Sequence, residues 1–529
     1  MNVHIIIAFL ICLFFLQNTE SAKILGLFPL AGRSVYILYN KLFKALADVG
    51  HNVTIVSPLK NKLPILNGSY TEVHLDGFET YYNSLLKEIG DSMKTGDSNI
   101  MPEKSGFFET LHFMEMMFPI FNDTLYHPNF KKFLEKGEKF DLIIYEHFVG
   151  SDFLKMFGRI YDCPTIVFTS MGGINSWINE QVGNYLPPSY VPHFFFTKTN
   201  MNEELTLYEK IENLIFYLVD FFVKHFMVFP TLNEVIHKYF KSPVDISELY
   251  PETSLVLLGS HSSLRQPTPL VPNMVEIGGF HIDPPQKLPK YLQEFLDDAK
   301  EGVIYFSMGS HVDSKDFSEQ KKQAFLKAFR KLKMKVIWKY EEEDLAGKPS
   351  NVLIKKWLPQ TDILAHPNVK LFIGHGGYGS MLETVYHGVP TLMIPVFADQ
   401  HSNANSAVSL GFALKLSYND ERFSEQLLSS LIHELLINPK YREAAKYRSK
   451  LFHDRPMKPL DYAIYWIEYV IRHKGAKHLQ VAGARLPWYK FFMLDVLSFL
   501  IFVLFLSIFS ILYLFRKICC SSGKKLKKD

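Results

Sequence analysis

Short apolar runs alternate with longer helical patterns along most of this 529-residue chain. Runs that are apolar throughout are typical of parallel strands buried on both faces of a sheet. They form two series, one on each side of a proline-rich link from Pro267 to Pro289. The first comprises Lys23–Phe28, Val53–Pro58, Phe140–Tyr145, Pro164–Ser170 and Ser254–Ser260, and the second Gly302–Ser307, Lys335–Trp338, Asn351–Ile354, Val369–Gly374 and Thr391–Pro395. The fold class is therefore α/β, with two doubly wound Rossmann-like domains, residues 22–283 and 284–455, that face a cleft.

A second constraint is the stretch from Val496 to Phe515, which carries no charge. Its length is about the 20 residues that a helix needs to span a bilayer. Arg516 and Lys517 follow directly, so the positive-inside rule places the tail in the cytosol and the two domains in the lumen. We expect a crossing helix and juxtamembrane segment at 456–491, a transmembrane helix at 492–515 and a basic tail at 516–529. A helix buried in a protein core is the alternative.

The two chain ends suggest a cellular address. An apolar run from Ile5 to Leu16, followed by the small residues Thr19 and Ser21, predicts a signal peptide at 1–21. Lys525 and Lys527 stand fifth and third from the end, which is typical of a retrieval signal. We therefore expect a single-pass type I protein of the endoplasmic reticulum membrane; the alternative for these lysines is simple charge anchoring.

Charge and cysteine content exclude several other classes. The balance of 57 basic and 54 acidic residues produces no field that favours nucleic acid. Cys163 is the one lumenal cysteine, so no internal disulfide is expected, and no His/Cys cluster has metal-ligand spacing. Sequons at Asn67 and Asn122 predict glycosylation, whereas the sequon at Asn52 opens an apolar strand and is expected to be too buried.

The densest set of glycine and polar residues at predicted strand ends lies between Lys355 and Ala404. Gly376 and Gly377 stand between a predicted strand and a predicted helix. Backbone N–H groups and a helix N-terminus then face one point, which suits a diphosphate. His375 and Ser380 can add donors to the same point.

Other side chains nearby suit the remaining parts of a nucleotide sugar. Glu383, one turn into the predicted helix, can accept hydrogen bonds from ribose hydroxyls. Trp357, just beyond another strand, offers a flat face to a base. Asp399 and Gln400 follow a third strand and can hold sugar hydroxyls. A glycine-rich turn alone is a weak signal, but this ordered combination is much more specific.

With these residues in place, the chain resembles the UDP-glycosyltransferases, the membrane-bound GT-B enzymes of animals, and is most similar to the insect branch. The resemblance covers nearly the whole lumenal part and extends through Gln181–Phe195, Val271–Ile282, Phe295–Ser310 and Asp454–Ala476. It implies inverting transfer of a hexose from a UDP-sugar to a small lipophilic acceptor. The expected hexose is glucose. The UDP-sugar is a co-substrate, so no bound cofactor is expected.

The resemblance also implies a role for each donor-site residue. Trp357 would stack on uracil, Gln360 would contact the nucleoside and Glu383 would hold the ribose. The phosphates would be surrounded by His375, Ser380, Ser307 and Ser310, and the hexose would be held by Asp399 and Gln400. Two positions depart from the pattern, since Gly374 replaces the usual Thr and Gly379 the Asn of many relatives. Backbone donors remain, so we expect donor binding to survive.

The acceptor side lacks the expected general base. In the family a His follows the loop that corresponds to residues 32–34, and a carboxylate after the strand near Asp141 orients it. The register of the predicted helix Tyr36–Val49 places Val35 at the His position and Glu146 at the carboxylate position. Valine cannot accept a proton, and losing a general base reduces the rate by about 10²–10⁴-fold.

Three interpretations follow from Val35. His147 or Glu146 could serve as a substitute catalytic group. Alternatively the acceptor needs little help, being an amine, an acidic phenol or an activated carbon. Finally the chain could be a non-catalytic member that binds UDP-sugar or lipophiles and regulates an active relative, in a homo- or hetero-oligomer.

Overall fold

The computed structural model of the chain describes residues 21–61, 64–95, 117–148, 150–170, 175–194, 196, 204–397 and 399–525. The predicted signal peptide therefore lies outside the described residues, apart from Ser21, and so does Lys527 of the predicted retrieval signal.

The first domain is built on a seven-stranded parallel sheet, and every run of the first predicted series lies in one of its strands. The strands are β1 (Lys23–Leu27), β2 (Asn52–Ser57), β3 (Ser69–His74), β4 (Leu142–Glu146), β5 (Thr165–Thr169), β6 (Thr253–Leu258) and β7 (Met274–Glu276). Their order across the sheet is β3-β2-β1-β4-β5-β6-β7. Sequence patterns did not predict the two outermost strands, because β3 is largely solvent-facing and polar and β7 has three residues.

Helices cover both faces of this sheet. They are α1 (Arg33–Asp48), α2 (Phe78–Thr95), α3 (Pro128–Glu135), α4 (Met156–Tyr161), α5 (Ser176–Gln181), α6 (Leu207–Val223), α7 (Phe229–Tyr239) and α8 (Ile246–Leu249), and residues 117–126 are also helical. Helix α1 begins earlier than the predicted Tyr36, because Gly32 adopts the extended N-cap conformation and its carbonyl accepts from Tyr36 N at 2.9 Å. Val35 therefore lies in the first helical turn.

The second domain contains a six-stranded parallel sheet. Its strands are β8 (Val303–Ser307), β9 (Lys335–Lys339), β10 (Val352–Lys355), β11 (Val369–Gly374), β12 (Thr391–Met393) and β13 (Ala413–Lys415), in the order β10-β9-β8-β11-β12-β13. The helices are α9 (Lys290–Asp297), α10 (Glu319–Arg330), α11 (Gln360–Leu364), α12 (Tyr378–His387), α13 (Gln400–Ser409), α14 (Glu425–Ile437) and α15 (Pro439–His453). The second predicted series is thus present in full, and β13 is an additional edge strand.

Each sheet has one point at which the chain reverses its direction of winding. In the first sheet this point lies between β1 and β4, and in the second between β8 and β11. Ligands of doubly wound proteins bind in the crevice at the carboxyl ends of the strands beside such a reversal. The functional residues are therefore expected in the loops after these four strands.

The helix that follows the second domain packs back on the first. Helix α16 (Pro459–Arg472) buries Ala463, Ile467 and Val470 in the apolar cluster that also contains α1 and β6. Helix α16 lies within the segment predicted at 456–491 and packs on protein. Lys41 of α1 adds an ion pair to Asp283 at 2.6 Å, at the end of the first domain.

Among the described residues, two helical stretches are long and apolar enough to cross a membrane. One is Leu494–Ile518, part of α18 (Leu494–Lys525), which follows the short helix α17 (Trp488–Phe491) and fits the predicted transmembrane helix. The other is Leu207–Tyr239, formed by α6, α7 and a π-helical turn between them, Lys224–Val228. Sequence patterns did not single out this second stretch.

Candidate active site

Three neighbouring strand ends bring the predicted donor residues together. Ser307 of β8 pairs with Gly374 of β11, which pairs with Met393 of β12, so the three strands end in one row. The loops that leave this row carry His375, the glycine turn and Asp399. The structure thus gathers at one edge of the second sheet the residues that sequence patterns assigned to phosphate and hexose.

The imidazole of His375 is held between two glycines. A Cβ atom at Gly309 would lie 2.5 Å from His375 Cε1, and one at Gly377 would collide with His375 Nε2. Neither position can carry a side chain while the ring stays there. Burial lowers the pKa of His375 to about 3, so the ring is neutral, and its Nδ1 is buried without a hydrogen-bond partner in the described part of the chain. Such an unsatisfied atom is rare and suits a ligand contact.

The glycine turn leads into a helix N-terminus that faces the same space. Gly376 has a φ of 85°, a left-handed conformation that favours glycine, and Gly377 is the extended N-cap of α12. The first N–H groups of a helix lack partners within it and attract anions. Ser380, in the first turn of α12, can add its hydroxyl to this site.

The two departures from the family pattern have different surroundings. The ring of Phe372 occupies the place where a Cβ atom at Gly374 would be, so the usual Thr would require that ring to move. A Cβ at Gly379 would meet nothing within 4 Å, so the Asn of many relatives would fit there. The first substitution is thus explained by packing, and nothing in the structure explains the second.

Glu383 is the centre of a hydrogen-bond network between α11 and α12. One carboxylate oxygen accepts from Gln360 Nε2 and the other from Thr361 Oγ1 at 2.7 Å. Gln360 Nε2 also donates to Ser380 Oγ at 3.0 Å. Burial raises the pKa of Glu383 above its ordinary value. Trp357 lies just before α11 with 60% of its surface exposed, so its indole face is open to a ring that stacks on it.

Asp399 and Gln400 are joined to the glycine turn by Asn403. The Asn403 side-chain amide donates to Asp399 Oδ2 at 2.7 Å and to the Gly376 carbonyl at 3.0 Å. Burial raises the pKa of Asp399 to about 6. Gln400 Oε1 accepts from the N–H of Val396 at 2.9 Å, so this amide oxygen holds its own loop in shape.

Ser307 and Ser310 lie in the loop that faces the glycine turn. Ser307 is buried, and its hydroxyl accepts from Gly309 N at 3.3 Å, which shapes the turn beside His375. Ser310 is half-buried and lies one residue further along. Ser307 thus lies beside the turn that contacts His375, and a phosphate contact of either serine stays a prediction.

On the acceptor side, Val35 is half-buried and packs against the apolar cluster of α1 and α16. Glu146 ends β4 and is buried, and Ser170 Oγ donates to its Oε1 at 2.8 Å. Burial raises the pKa of Glu146 to about 8, so this carboxyl group keeps its proton at neutral pH. The position to which the resemblance assigns an orienting carboxylate therefore holds a neutral acid.

The side chain of His147 contacts different residues from that of Glu146, because successive side chains along a strand point to opposite faces of the sheet. Its Nδ1 lies 3.0 Å from Asp152 Oδ1 and 3.2 Å from Gln181 Nε2. Burial alone would raise the pKa of Asp152, but pairing with His147 holds it at about 2. His147 Nε2 is buried and has no partner among the described residues.

A further histidine, His311, was not singled out from the sequence. It follows Ser310 on the β8 loop and extends to the first domain, where its ring meets that of Tyr82 edge to face, with centroids 6.0 Å apart. A Cβ atom placed at Gly32 would lie 3.4 Å from His311 Nε2, 3.5 Å from the Tyr82 hydroxyl and 3.7 Å from Val35 Cγ2. A histidine just after a predicted strand end was visible in the sequence, but its contact with another domain was not.

Both predicted glycosylation sites lie at or near the surface. Asn67 is exposed, and its side-chain amide donates to the Asp48 carbonyl at 2.7 Å. Asn122 is half-buried in the helical stretch 117–126. Modification of either residue stays a prediction.

Two doubly wound domains with facing crevices, one of them carrying a donor-type site, define a glycosyltransferase of GT-B architecture. The chain is similar to the solved UDP-glucose:anthocyanidin 3-O-glucosyltransferase in complex with UDP, with a TM-score of 0.53 and 15% identity over 86% of this chain and 100% of that one. It is also similar to CalG4, the calicheamicin glycosyltransferase, with a TM-score of 0.54 and 16% identity over 86% and 99% of the two chains. These likenesses show the fold.

The sequence comparisons identify the family. The family described as UDP-glucoronosyl and UDP-glucosyl transferase matches residues 23–529. UDP-glycosyltransferase UGT5 of Dactylopius coccus is 38% identical, with 94% of this chain and 92% of the relative covered. UDP-glucuronosyltransferase 2B13 of Oryctolagus cuniculus is 32% identical, with 92% of each chain covered. The chain belongs to this family and is a glycosyltransferase, which confirms the resemblance seen in its motifs.

The raised pKa of Glu146 predicts how stability depends on pH. The folded protein keeps the Glu146 proton up to about pH 8, whereas the unfolded chain loses it near the ordinary value of 4.5. Between these values the native state binds the extra proton, so this residue lowers the free energy of unfolding as pH rises, by up to about 1.4 kcal/mol per pH unit. The Glu146→Gln variant should therefore gain stability relative to the unchanged protein from pH 5 to pH 8.

Thermal unfolding of both proteins in one detergent at several pH values measures this difference. Glu301→Gln is a matched control, because Glu301 is exposed at the other end of β8. Parallel pH profiles for Glu146→Gln and the unchanged protein would contradict the assignment of a buried, protonated Glu146.

Proposed function

We propose that this protein transfers a hexose, glucose in the first instance, from a UDP-sugar to a small lipophilic acceptor with inversion at the anomeric carbon. The observation that carries the proposal is the connected donor site of the second domain. An exposed indole, a carboxylate network, a neutral histidine with an unpaired nitrogen and a helix N-terminus all lie in the loops and first helical turns that follow strands of the second sheet. A chain under no demand for donor binding has no reason to keep all four.

Each part of the donor has a residue suited to it. Trp357 stacks on uracil and Gln360 contacts the nucleoside, while Glu383 exchanges its present partners for the ribose hydroxyls. His375, Ser380, Ser307, Ser310 and the backbone N–H groups of Gly376 and Gly377 surround the diphosphate. Asp399 and Gln400 hold hydroxyls of the hexose. Glucose is chosen because an insect relative, UDP-glucosyltransferase 2 of Dactylopius coccus, is 36% identical over 97% of both chains.

The reaction joins the acceptor oxygen to the anomeric carbon as the bond from that carbon to UDP breaks. A hydroxyl acceptor must lose its proton in this step. Val35 cannot take it, and Glu146 already holds a proton at neutral pH. Glu146 suits a role as hydrogen-bond donor to the acceptor, and His147, oriented by Asp152, is the candidate base that the first domain offers. Acceptors that are ionised phenols, amines or activated carbons need the least help.

We further propose that the reaction takes place at the lumenal face of the endoplasmic reticulum membrane. Helix α18 fits a single membrane span, and the basic residues after it support a cytosolic tail. Asn67 and Asn122 would then be exposed to the glycosylation machinery. A lipophilic acceptor partitions into the same membrane. We also propose that the protein forms homo-oligomers, or hetero-oligomers with relatives.

Val35 favours one alternative function. A chain that binds UDP-sugar or lipophiles without turnover, and regulates an active relative, needs the donor site but no base. The two functions differ in whether the protein itself forms a glycoside.

The test is glycoside formation from UDP-glucose by microsomes that contain the full-length protein, with hydroxyl, amine and ionised phenol acceptors. Glu383→Ala removes the ribose contacts, and hydrogen bonds to a charged group contribute roughly 1.5–3 kcal/mol each, so we expect a loss of about 10²-fold or more in kcat/KM. Glu301→Ala, at the amino end of β8, should have no effect. Turnover with none of the acceptors, despite intact UDP binding, would support the regulatory alternative.

A further inference from the structure

His311 brings an imidazole across the cleft to the loop where the family's base is missing. Its Nε2 and Val35 Cγ2 both lie within 4 Å of the point where a Cβ at Gly32 would stand. The side chain comes from the second domain, and the loop and the valine belong to the first. The imidazole of His311 therefore lies close to Val35, the residue that stands where the family has its basic histidine.

The environment of His311 leaves its Nε2 free for a ligand. The ring packs edge to face against Tyr82, and it lies close enough to His375 to help lower the pKa of that histidine. Its Nε2 is shielded from solvent and has no hydrogen-bond partner within the described ranges. Leaving such an atom unpaired reduces the stability of the protein, and a ligand that bonds to it would recover the loss. Burial lowers the pKa of His311 to about 4, so the ring is neutral and able to accept a proton.

The position along the chain places His311 beside the reacting carbon. It follows Ser310 directly, at the end of the loop that borders the diphosphate site. The anomeric carbon is one bond from the outer phosphate oxygen, so a donor held there presents this carbon close to His311. The loop from the first domain brings the acceptor side to the same place, because β1 and β8 each end beside the winding reversal of their sheet.

We propose that His311 is the general base for hydroxyl acceptors, an inference that rests on the hexose transfer proposed above. His311 Nε2 takes the acceptor proton while the acceptor oxygen bonds to the anomeric carbon. The bond from that carbon to UDP breaks, and UDP leaves with its electron pair. The diphosphate charge nearby stabilises the imidazolium that forms, and this ring then releases its proton to water or to UDP.

The experiment compares His311→Ala, His311→Gln, Val35→His and the double variant Val35→His/His311→Ala in full-length protein. We expect His311→Ala to lower kcat for hydroxyl acceptors by about 10²–10⁴-fold. UDP affinity should change less than twofold, and transfer to an ionised phenol should fall much less. The double variant should regain hydroxyl transfer, because an imidazole returns to the first-domain loop. His311→Gln, close in size, separates loss of the base from loss of folding.

Two results would overturn the assignment while leaving hexose transfer intact. If His311→Ala weakens UDP binding by the same factor as kcat/KM, and the pH profile is unchanged, then His311 is a phosphate ligand. If His311→Ala and His311→Gln leave hydroxyl transfer unchanged, the base is elsewhere, with His147 the next candidate. Absence of turnover by the unchanged protein contradicts both this proposal and the proposed function.

A second inference rests on an apolar stripe, called the α6 stripe, that α6 and the π-helical turn after it expose to solvent. Its members recur every three or four residues and are each at least 50% exposed: Leu207, Ile211, Ile215, Leu218, Phe222 and Phe226. This stripe does not belong to a membrane-spanning helix, because the opposite face is fixed to the first domain. There Asn213 donates to the Val191 carbonyl at 2.8 Å, and Lys224 pairs with Glu180.

The stripe lies next to the segment that leads into the predicted transmembrane helix. The ring of Phe221, beside the stripe, meets Trp488 of α17 with centroids 5.3 Å apart. Helix α18 begins at Leu494, only a few residues further on. Trp488 and Tyr489 are part-exposed, as amphipathic rings at a membrane–water interface are. The bilayer that α18 spans therefore starts next to α6.

We infer that the α6 stripe lies in the lumenal leaflet, as an interfacial helix that holds the first domain on the membrane. The test uses full-length protein in vesicles of phosphatidylcholine that contain a photoactivatable phosphatidylcholine. Adducts are expected on peptides from 207–227 as well as from α18. Ile437 and Tyr447, exposed on the second domain, are the control and should remain unlabelled. Adducts confined to α18, with none on peptides from 207–227, would overturn the inference.

Discussion

The reversal of winding at β1/β4 and at β8/β11 is the constraint on which the rest of the molecule depends. The carboxyl ends of parallel strands lie at the same edge of the sheet. Each reversal therefore opens a crevice bordered by the loops after two neighbouring strands. In the second sheet, Ser307 and Gly374 end in register, and the loops after them enclose His375 between glycines. In the first sheet, the loop after β1 carries Val35. Helix α16, which follows the second domain along the chain, packs back on the first.

Burial without an opposite charge is the common electrostatic feature of the site. The pKa values of His375 and His311 are lowered and those of Glu146 and Asp399 are raised, in each case mainly by desolvation. Neutral imidazoles in a closed space accept a charged ligand more readily than a set of paired ions would, because no existing ion pair must be broken. A diphosphate would bring the charge that these groups lack. His147 is the contrast, since Asp152 already satisfies one of its nitrogens.

Much of the architecture followed from local patterns, because buried parallel strands are apolar throughout and their polar ends mark one edge of a sheet. The same rule predicted that His375 and Asp399, which follow β11 and β12, lie at one edge of the second sheet. Edge strands β3, β7 and β13 were missed, since short or solvent-facing strands lack that pattern. The protonation of Glu146 depends on burial, and the contact of His311 with the first domain depends on how the two domains are placed. Residue spacing predicts neither property. The exposure of the α6 stripe was hidden for the same reason, as an apolar helix resembles a core helix until its neighbours are known.

The central claim is that a family donor site works here with a base supplied from across the cleft. A structure of the full-length protein with UDP-2-deoxy-2-fluoroglucose and a hydroxyl acceptor tests it most directly. The account predicts His311 Nε2 about 3 Å from the acceptor oxygen, within hydrogen-bond reach, with His375 on the diphosphate. His311 bound to the phosphates, with another side chain or water alone at the acceptor oxygen, would contradict it.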